Sequence, residues 1–155
     1  MFENLNTMVP CYAIMQGDQE YIKESEDKIK VLMLSWEYPP FSVGGLAKHV
    51  EELSEALSQR QVEIHILTVG ANHTLKTEKT KNLWVHRVES YPLQAPNFIT
   101  WVQHLNFRLI EEAIGLIHSL GTIDLIHAHD WLAGYTGRVL KNSYMLPLVA
   151  TIHAT

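Results

Sequence analysis

Residues that could bind a ligand or a metal ion occur at three points of the sequence, each next to the end of a strand-like run. The first is a pair of glycines, Gly44 and Gly45, between a short apolar run and a helical pattern. Glycines at such a junction let the backbone approach a phosphate or a sugar, and the first free N–H groups of the helix favour an anion. A turn that needs positive φ and close helix packing is the alternative interpretation.

The second point is the stretch HAHDW, which runs from His127 to Trp131. In an extended strand His127 and His129 project to the same side, which would allow a metal pair with an oxygen of Asp130 nearby. Ligands of open parallel sheets bind beyond the carboxyl ends of the strands, so we favour polar binding groups at this strand end. A purely structural turn is a third interpretation.

The third point is His153, in the stretch TIHAT that ends the sequence. A single histidine that closes an apolar strand is most often structural. Its position changes this interpretation, because the ends of parallel strands meet at one edge of a sheet. Three polar points at one edge favour a ligand-binding cleft.

The glycine pair does not match two familiar nucleotide-binding patterns. The dinucleotide fingerprint needs a third glycine and an acidic residue at the end of the second strand, where this sequence has Leu67, Thr68 and Val69. A P-loop needs Lys and then Ser or Thr after its second glycine, whereas Leu46 and Ala47 follow here. NAD binding and P-loop ATP hydrolysis are therefore disfavoured.

Alternating strand and helix patterns predict the elements that would position these residues. Strands are predicted at Ile29–Ser35, Val62–Val69, Leu83–Val88, Ile123–Ala128 and Pro147–His153, and helices at Leu46–Leu57, Phe98–Leu120 and Leu132–Tyr144. The first and last strands are apolar enough to be buried, and the polar Lys- and Thr-rich segment before Leu83 is predicted as a connection. This order predicts an α/β fold with a Rossmann-like parallel sheet and helices on both faces.

Composition and length fit one such unit. The sequence has 155 residues, of which 46% are hydrophobic and 19% charged. Residues 1–28 lack a sustained period and are predicted to be a leader or linker, and residues 29–155 to be one domain. The last predicted strand stops where a site would begin, so we expect the domain to be incomplete at its C-terminus.

Charge and cysteine content exclude several classes of partner. The net charge of -5, from 12 Lys and Arg against 17 Asp and Glu, gives no basic excess for nucleic acid. Cys11 is the only cysteine, so an intrachain disulfide cannot form and a cytoplasmic location is expected. No stretch approaches the roughly 20 apolar residues of a membrane span, so membrane insertion is not expected.

Three segments together resemble a known family. SWEYPPFSVGGLAKHVEELSEAL from Ser35 to Leu57, HAHDWLAG from His127 to Gly134, and the final ATIHAT are similar to the N-terminal domain of retaining GT-B glycosyltransferases. The resemblance covers residues 28–155 and is greatest to glycogen and starch synthases and their shorter relatives. It implies the N-terminal half of a GT-B fold, with a second Rossmann-like domain across a cleft holding most of the sugar nucleotide.

The resemblance also implies roles for individual residues. Gly44 and Gly45 would present backbone amides to the donor diphosphate, Asp130 would contact the sugar or acceptor, and His153 would lie beside the transferred hexose. It implies no metal, no cofactor and no protein nucleophile. The leaving phosphate would help to deprotonate the acceptor, while fixed donors stabilise its charge.

His129, Trp131 and Ser42 complete the predicted binding residues. Glycogen synthases commonly carry Lys at the position of Ser42, so one expected phosphate contact is missing here. The segment between Gly45 and His127 is also short for a full glycogen synthase, which moves the resemblance toward the shorter relatives.

The expected function is transfer of a hexose, glucose from ADP-glucose or UDP-glucose, to an α-glucan, and the 155-residue chain alone is expected to be inactive. A lipid or a small molecule as acceptor is the nearest alternative. A non-catalytic carbohydrate- or nucleotide-binding module is an alternative of a different class. A metal-dependent hydrolase is the third, and it rests only on His127, His129 and Asp130.

Overall fold

The computed structural model describes residues 28–70, 76–89 and 95–153. Within these ranges the chain forms six strands and three helices. They are β1 (Lys30–Leu34), α1 (Gly45–Ser58), β2 (Glu63–Gly70), β3 (Lys76–Thr80), β4 (Leu83–Glu89), α2 (Phe98–Leu120), β5 (Leu125–His129), α3 (Asp130–Tyr144) and β6 (Leu148–Thr151). Of the predicted leader, residues 1–28, all but Lys28 lie outside the described residues.

The strands form one sheet in the order β3-β4-β2-β1-β5-β6. β1 lies in the middle and pairs in parallel with β2 and β5, so that Leu32 lies opposite His65 on one side and Ile126 on the other. β4 and β6 extend the parallel part. The predicted Rossmann-like α/β fold is confirmed.

Helices cover both faces of the sheet, as predicted. Val31 and Met33 of β1 pack in a cluster with α1, while Leu32 and Leu34 point to the other face and pack with α2 and α3. The helix residues of these clusters are Leu46 and Val50 on the first face, and Leu105, Leu109, Ala113, Ile117, Ala133 and Leu140 on the second. Because successive side chains of a strand alternate between faces, a continuous apolar run is what a doubly covered strand requires.

The Lys- and Thr-rich segment before β4 was wrongly predicted as a connection. Lys76–Thr80 forms β3, which pairs antiparallel with β4 at the edge of the sheet. Residues 77–80 of this strand are exposed. A polar edge strand gains its hydrogen bonds from one neighbour and buries little apolar surface, so no apolar pattern marks it in the sequence.

The last strand was predicted as buried, and this is also wrong. β6 is shorter than the predicted range and lies at the other edge of the sheet, where Val149 is 44% exposed. Its apolar residues pair with β5 on one side only within the part of the chain that the structure describes. An apolar run therefore indicated a strand correctly but did not indicate its position in the sheet.

α2 has the predicted bounds. The side chain of Asn97 accepts a hydrogen bond from Thr100 N and caps the start, and Gly121 has φ 77 at the end, a conformation that favours glycine. α3 begins at Asp130, two residues before the predicted start. None of the helices in the described ranges has the length and apolarity needed to cross a membrane.

A buried amide joins α2 to α3. Asn106 Nδ2 donates to Leu132 O at 2.7 Å, and Asn106 Oδ1 accepts from Thr136 N at 2.9 Å. Leu132 O and Thr136 N are the groups that an uninterrupted helix would pair with each other. The side chain of Asn106 is thus inserted into α3 one turn after Asp130, and it fixes the start of that helix against α2.

We expect Asn106→Leu to lower the free energy of unfolding by about 2–4 kcal/mol, because the backbone groups of α3 lose their buried partner. Denaturant unfolding of the two proteins measures the difference. Gln103→Leu, on an exposed position of the same helix, is the matched control and should change stability by about 0.5 kcal/mol or less. Equal effects of the two substitutions would contradict a role for the inserted amide.

Candidate functional site

The predicted site residues lie at the carboxyl ends of three neighbouring strands. β1, β5 and β6 are adjacent and parallel, so the glycine turn, Asp130 and His153 all follow strand ends at one edge of the sheet. Contacts join these segments. His129 Nδ1 lies 3.4 Å from His153 Nε2, and the rings of His153 and His49 of α1 are 4.9 Å apart between centroids.

Packing within the described part of the chain does not require the glycine pair. Gly44 is extended, with φ -155°, and an added Cβ on Gly44 or Gly45 would meet nothing within 4 Å among residues 28–70, 76–89 and 95–153. The alternative of a turn with positive φ and close helix packing is therefore not supported. The space beside these glycines at the start of α1 is therefore open among the described residues, and a helix start favours an anion.

Glu37, which sequence reasoning missed, organises the loop before α1. Its side chain is buried, and its two carboxylate oxygens accept from Val43 N at 2.5 Å and Ala47 N at 3.3 Å. A negative charge at a helix N-terminus is stabilising. Because Glu37 precedes the helix by eight residues, no capping-box spacing reveals it in the sequence.

Ser42 lies on the same loop and is exposed. Its Oγ donates to Gly44 O at 3.0 Å, so the hydroxyl holds the glycine turn instead of extending away from it. The resemblance leads one to expect a lysine at this position. The serine side chain is too short to make the phosphate contact of that lysine.

The proline-rich part of the loop is attached to β4. Arg87 is buried, donates to Pro39 O and to Glu78 Oε1, and lies 5.8 Å and 5.7 Å from the ring centroids of Tyr38 and Phe41. The loop therefore has a defined position relative to the sheet. Beside it lies a cleft of about 370 Å³, lined in part by Trp36, Glu37, Phe41, Ser42 and Trp101.

Asp130 adopts a strained conformation at the junction of β5 and α3. Its φ is 67°, a left-handed value that costs a residue with a side chain on the order of 1–3 kcal/mol. The side chain is buried and Oδ1 accepts from Trp131 N at 2.8 Å. Strained residues of this kind cluster at functional sites. The backbone geometry therefore supports the choice of Asp130 as a candidate site residue.

The histidines at the end of β5 are held neutral by their surroundings. Burial, together with the nearby His127, His153 and His49, lowers the pKa of His129 to about 3. Burial is also the main cause that lowers the pKa of His127, whose Nε2 lies 2.8 Å from Thr151 Oγ1. At neutral pH both rings are uncharged and offer one donor and one acceptor nitrogen each.

The structure groups the histidines differently from the metal pair considered from the sequence. The cluster that could hold an ion consists of His49, His129 and His153, whose ligand nitrogens all lie within 4.8 Å of one another. His127 and Asp130 are not members of it. Sequence reasoning missed His49, because no local pattern indicates that this exposed residue of α1 faces the ends of β5 and β6.

Aromatic rings lie next to these strand ends, at the first turns of α2 and α3. Phe98 stacks on Trp101 at 5.7 Å and meets Trp131 edge-on at 6.2 Å. Phe98 is 55% exposed and Trp131 is 47% exposed. We call Phe98, Trp101 and Trp131 the aromatic platform; of these residues only Trp131 was predicted from the sequence.

Known proteins match most of this chain. A family model described as the starch synthase catalytic domain matches residues 30–155. An uncharacterized glycosyltransferase of Methanocaldococcus jannaschii is 35% identical over 127 residues, covering 82% of this chain and 31% of that protein. The glycogen synthase of Mycobacterium tuberculosis is 33% identical over 141 residues, covering 82% and 34%.

A solved structure has the same fold. Sucrose-phosphate synthase of Thermosynechococcus elongatus superimposes with a TM-score of 0.69 at 20% identity, covering 82% of this chain and 33% of that one. The chain thus spans about a third of the length of the proteins that it matches.

Proposed function

The chain belongs to the family of starch synthase catalytic domains, as its resemblance to GT-B glycosyltransferases predicted, and we propose that it forms the acceptor-side half of a hexosyltransferase. The reaction is transfer of glucose from ADP-glucose or UDP-glucose to an α-glucan. The observation that carries this proposal is the glycine pair: no packing contact among the described residues requires it, and it opens onto the edge that also holds Asp130 and His153.

The donor diphosphate would be bound by the start of α1. Gly44 and Gly45 allow an anion to approach the first N–H groups, and the partial positive charge of the helix end favours it. Glu37 already neutralises part of this field through Val43 and Ala47. We therefore expect the second domain to neutralise most of the negative charge of the diphosphate. The glycine turn would position the oxygens of the diphosphate.

The hexose would lie between the glycine turn and the ends of β5 and β6. His153 is exposed beyond β6, where an N–H of its ring could donate to a sugar hydroxyl, and Asp130 supplies a carboxylate one strand away. Fixed donors and acceptors in this position stabilise the charge that develops as the glycosidic bond to the diphosphate breaks. The departing phosphate oxygen takes the proton of the acceptor hydroxyl, so the chain itself needs no nucleophile.

The acceptor would bind on the aromatic platform. Aromatic rings offer flat apolar faces to the C–H faces of sugars, and Phe98 and Trp131 are exposed beside Asp130. A row of rings suits an acceptor of several sugar units better than a single small molecule. The relationship to the glycogen synthase of Mycobacterium tuberculosis supports a glucan.

The experiment uses the complete protein, with this chain and the second domain. Purified protein is incubated with labelled ADP-glucose or UDP-glucose and glycogen, and label in the polymer is measured. We expect incorporation by the complete protein and none by the 155-residue chain. Transfer only to lipid or small-molecule acceptors would refute the glucan, and sugar-nucleotide binding without any transfer would favour the non-catalytic module.

A further inference from the structure

We propose that His49, His129 and His153 form a binding site for a divalent transition-metal ion of the Zn²⁺ type. The three residues come from α1, from the end of β5 and from the segment after β6, and the fold alone brings them together. Each offers one ring nitrogen, and these nitrogens all lie within 4.8 Å of one another. This inference rests on the histidines and not on the proposed transferase activity.

The spacing fits tetrahedral coordination with a small adjustment. Zn–N bonds of about 2.0–2.1 Å at tetrahedral angles place two ligand nitrogens about 3.3 Å apart. His129 Nδ1 and His153 Nε2 are already 3.4 Å apart. His49 is exposed, so rotation of its side chain can bring its nitrogen closer without disturbing the core.

The burial of His129 provides a second, independent observation. Its ring is fully buried, so Nδ1 has a fixed position next to Nε2 of His153. The contact of Nδ1 is to another imidazole nitrogen, which serves as a hydrogen bond only when one of the two rings carries the proton. Ligation by an ion would instead use a lone pair from each ring.

The ligand set selects the chemical class of the ion. Three imidazoles with an open fourth position are typical of Zn²⁺ and of neighbouring transition metals. Mg²⁺ and Ca²⁺ prefer oxygen ligands, and the cluster contains no carboxylate. The site should therefore bind Zn²⁺, Co²⁺ or Ni²⁺ and not respond to Mg²⁺.

Occupation of this site has a consequence if the proposed function is correct. The ion would hold the ring of His153, which is proposed to contact the hexose, against His49 and His129. We therefore expect Zn²⁺ to inhibit transfer reversibly, with a chelator restoring the rate. This places the ion in the role of an inhibitor and leaves the transfer chemistry itself metal-independent.

The test is a titration of the 155-residue chain, without a histidine tag, with Zn²⁺ by calorimetry and with Co²⁺ by visible absorption. We expect one ion per chain and the absorption of tetrahedral cobalt. His49→Gln should weaken binding at least about tenfold, because it removes one of three ligands. Circular dichroism verifies that the variant keeps the wild-type fold.

His118→Gln is the matched control, since His118 is an exposed histidine of α2 that does not belong to the cluster. It should bind Zn²⁺ like the wild type. Absence of binding, or equal affinity of wild type and His49→Gln, would overturn the proposal. Because no sugar is present, a failure here leaves the proposed transferase function untouched, and a failed transfer assay leaves the metal site untouched.

Discussion

Replacing His153 with Ala in the complete protein is expected to lower kcat for hexose transfer by about 10²–10³-fold. This is the loss typically caused by removing one donor that stabilises charge in a transition state. His153 lies beyond β6 and is exposed, so its loss removes no core packing. Steady-state rates at saturating sugar nucleotide and glycogen measure the effect, and KM for the donor should change much less than kcat.

The matched control for this substitution is His118→Ala. His118 is exposed near the end of α2, the end opposite to the aromatic platform, so the variant should keep the wild-type rate. A His153→Ala protein that also turns over at close to the wild-type rate would contradict the assignment of His153 to the reacting sugar. A large rise in KM with unchanged kcat would mean that His153 binds the substrate equally in the ground state and the transition state.

Replacing Gly45 with Val is expected to weaken donor binding at least about tenfold while leaving the fold intact. Among the described residues, a Cβ at this position meets nothing within 4 Å beyond its own turn of the helix, so the valine side chain would enter the space assigned to the diphosphate. Valine is at least as compatible with a helix as glycine, so stability should change little. Calorimetric titration of the complete protein with ADP-glucose and UDP-glucose measures the affinity.

Gly115→Val provides a matched control of the same chemistry. Gly115 is an exposed helical glycine in α2, and an added Cβ there also meets nothing within 4 Å in the described part of the structure. Its variant should bind the donor like the wild type, and thermal unfolding should show similar midpoints for both. Unchanged donor affinity in Gly45→Val would refute the close approach of a phosphate to the glycine turn.

Local patterns in the sequence determined the elements and their order. The apolar run of β1 predicted a strand covered on both faces, because side chains that alternate between two buried faces must all be apolar. The repeat of apolar residues at three and four positions in α2, with Gly121 behind it, predicted that helix to the residue. Since alternating strands and helices form parallel sheets, the same patterns predicted that Asp130 and His153 follow strand ends at one edge.

Contacts between distant segments were decided only by the tertiary structure. Glu37 binds the turn before α1, and Asn106 enters α3, yet neither residue differs locally from an ordinary glutamate or asparagine of this sequence. His49 lies close to His129 and His153 because α1 packs on the face of the sheet to which these two histidines point. Sequence periods report which side of an element is buried, whereas the partner on that side is set by strand order and helix placement.

The edges of the sheet show the same division. β3 is polar and β6 is apolar, but both lie at edges, since the order of strands and not their composition determines which of them has a single neighbour. The sequence by itself therefore determined the fold class and the three strand-end motifs, because these depend on local periodicity and turn chemistry. The tertiary structure decided which residues lie next to each motif, because that depends on how β1, β5 and β6 are ordered and which helix covers them.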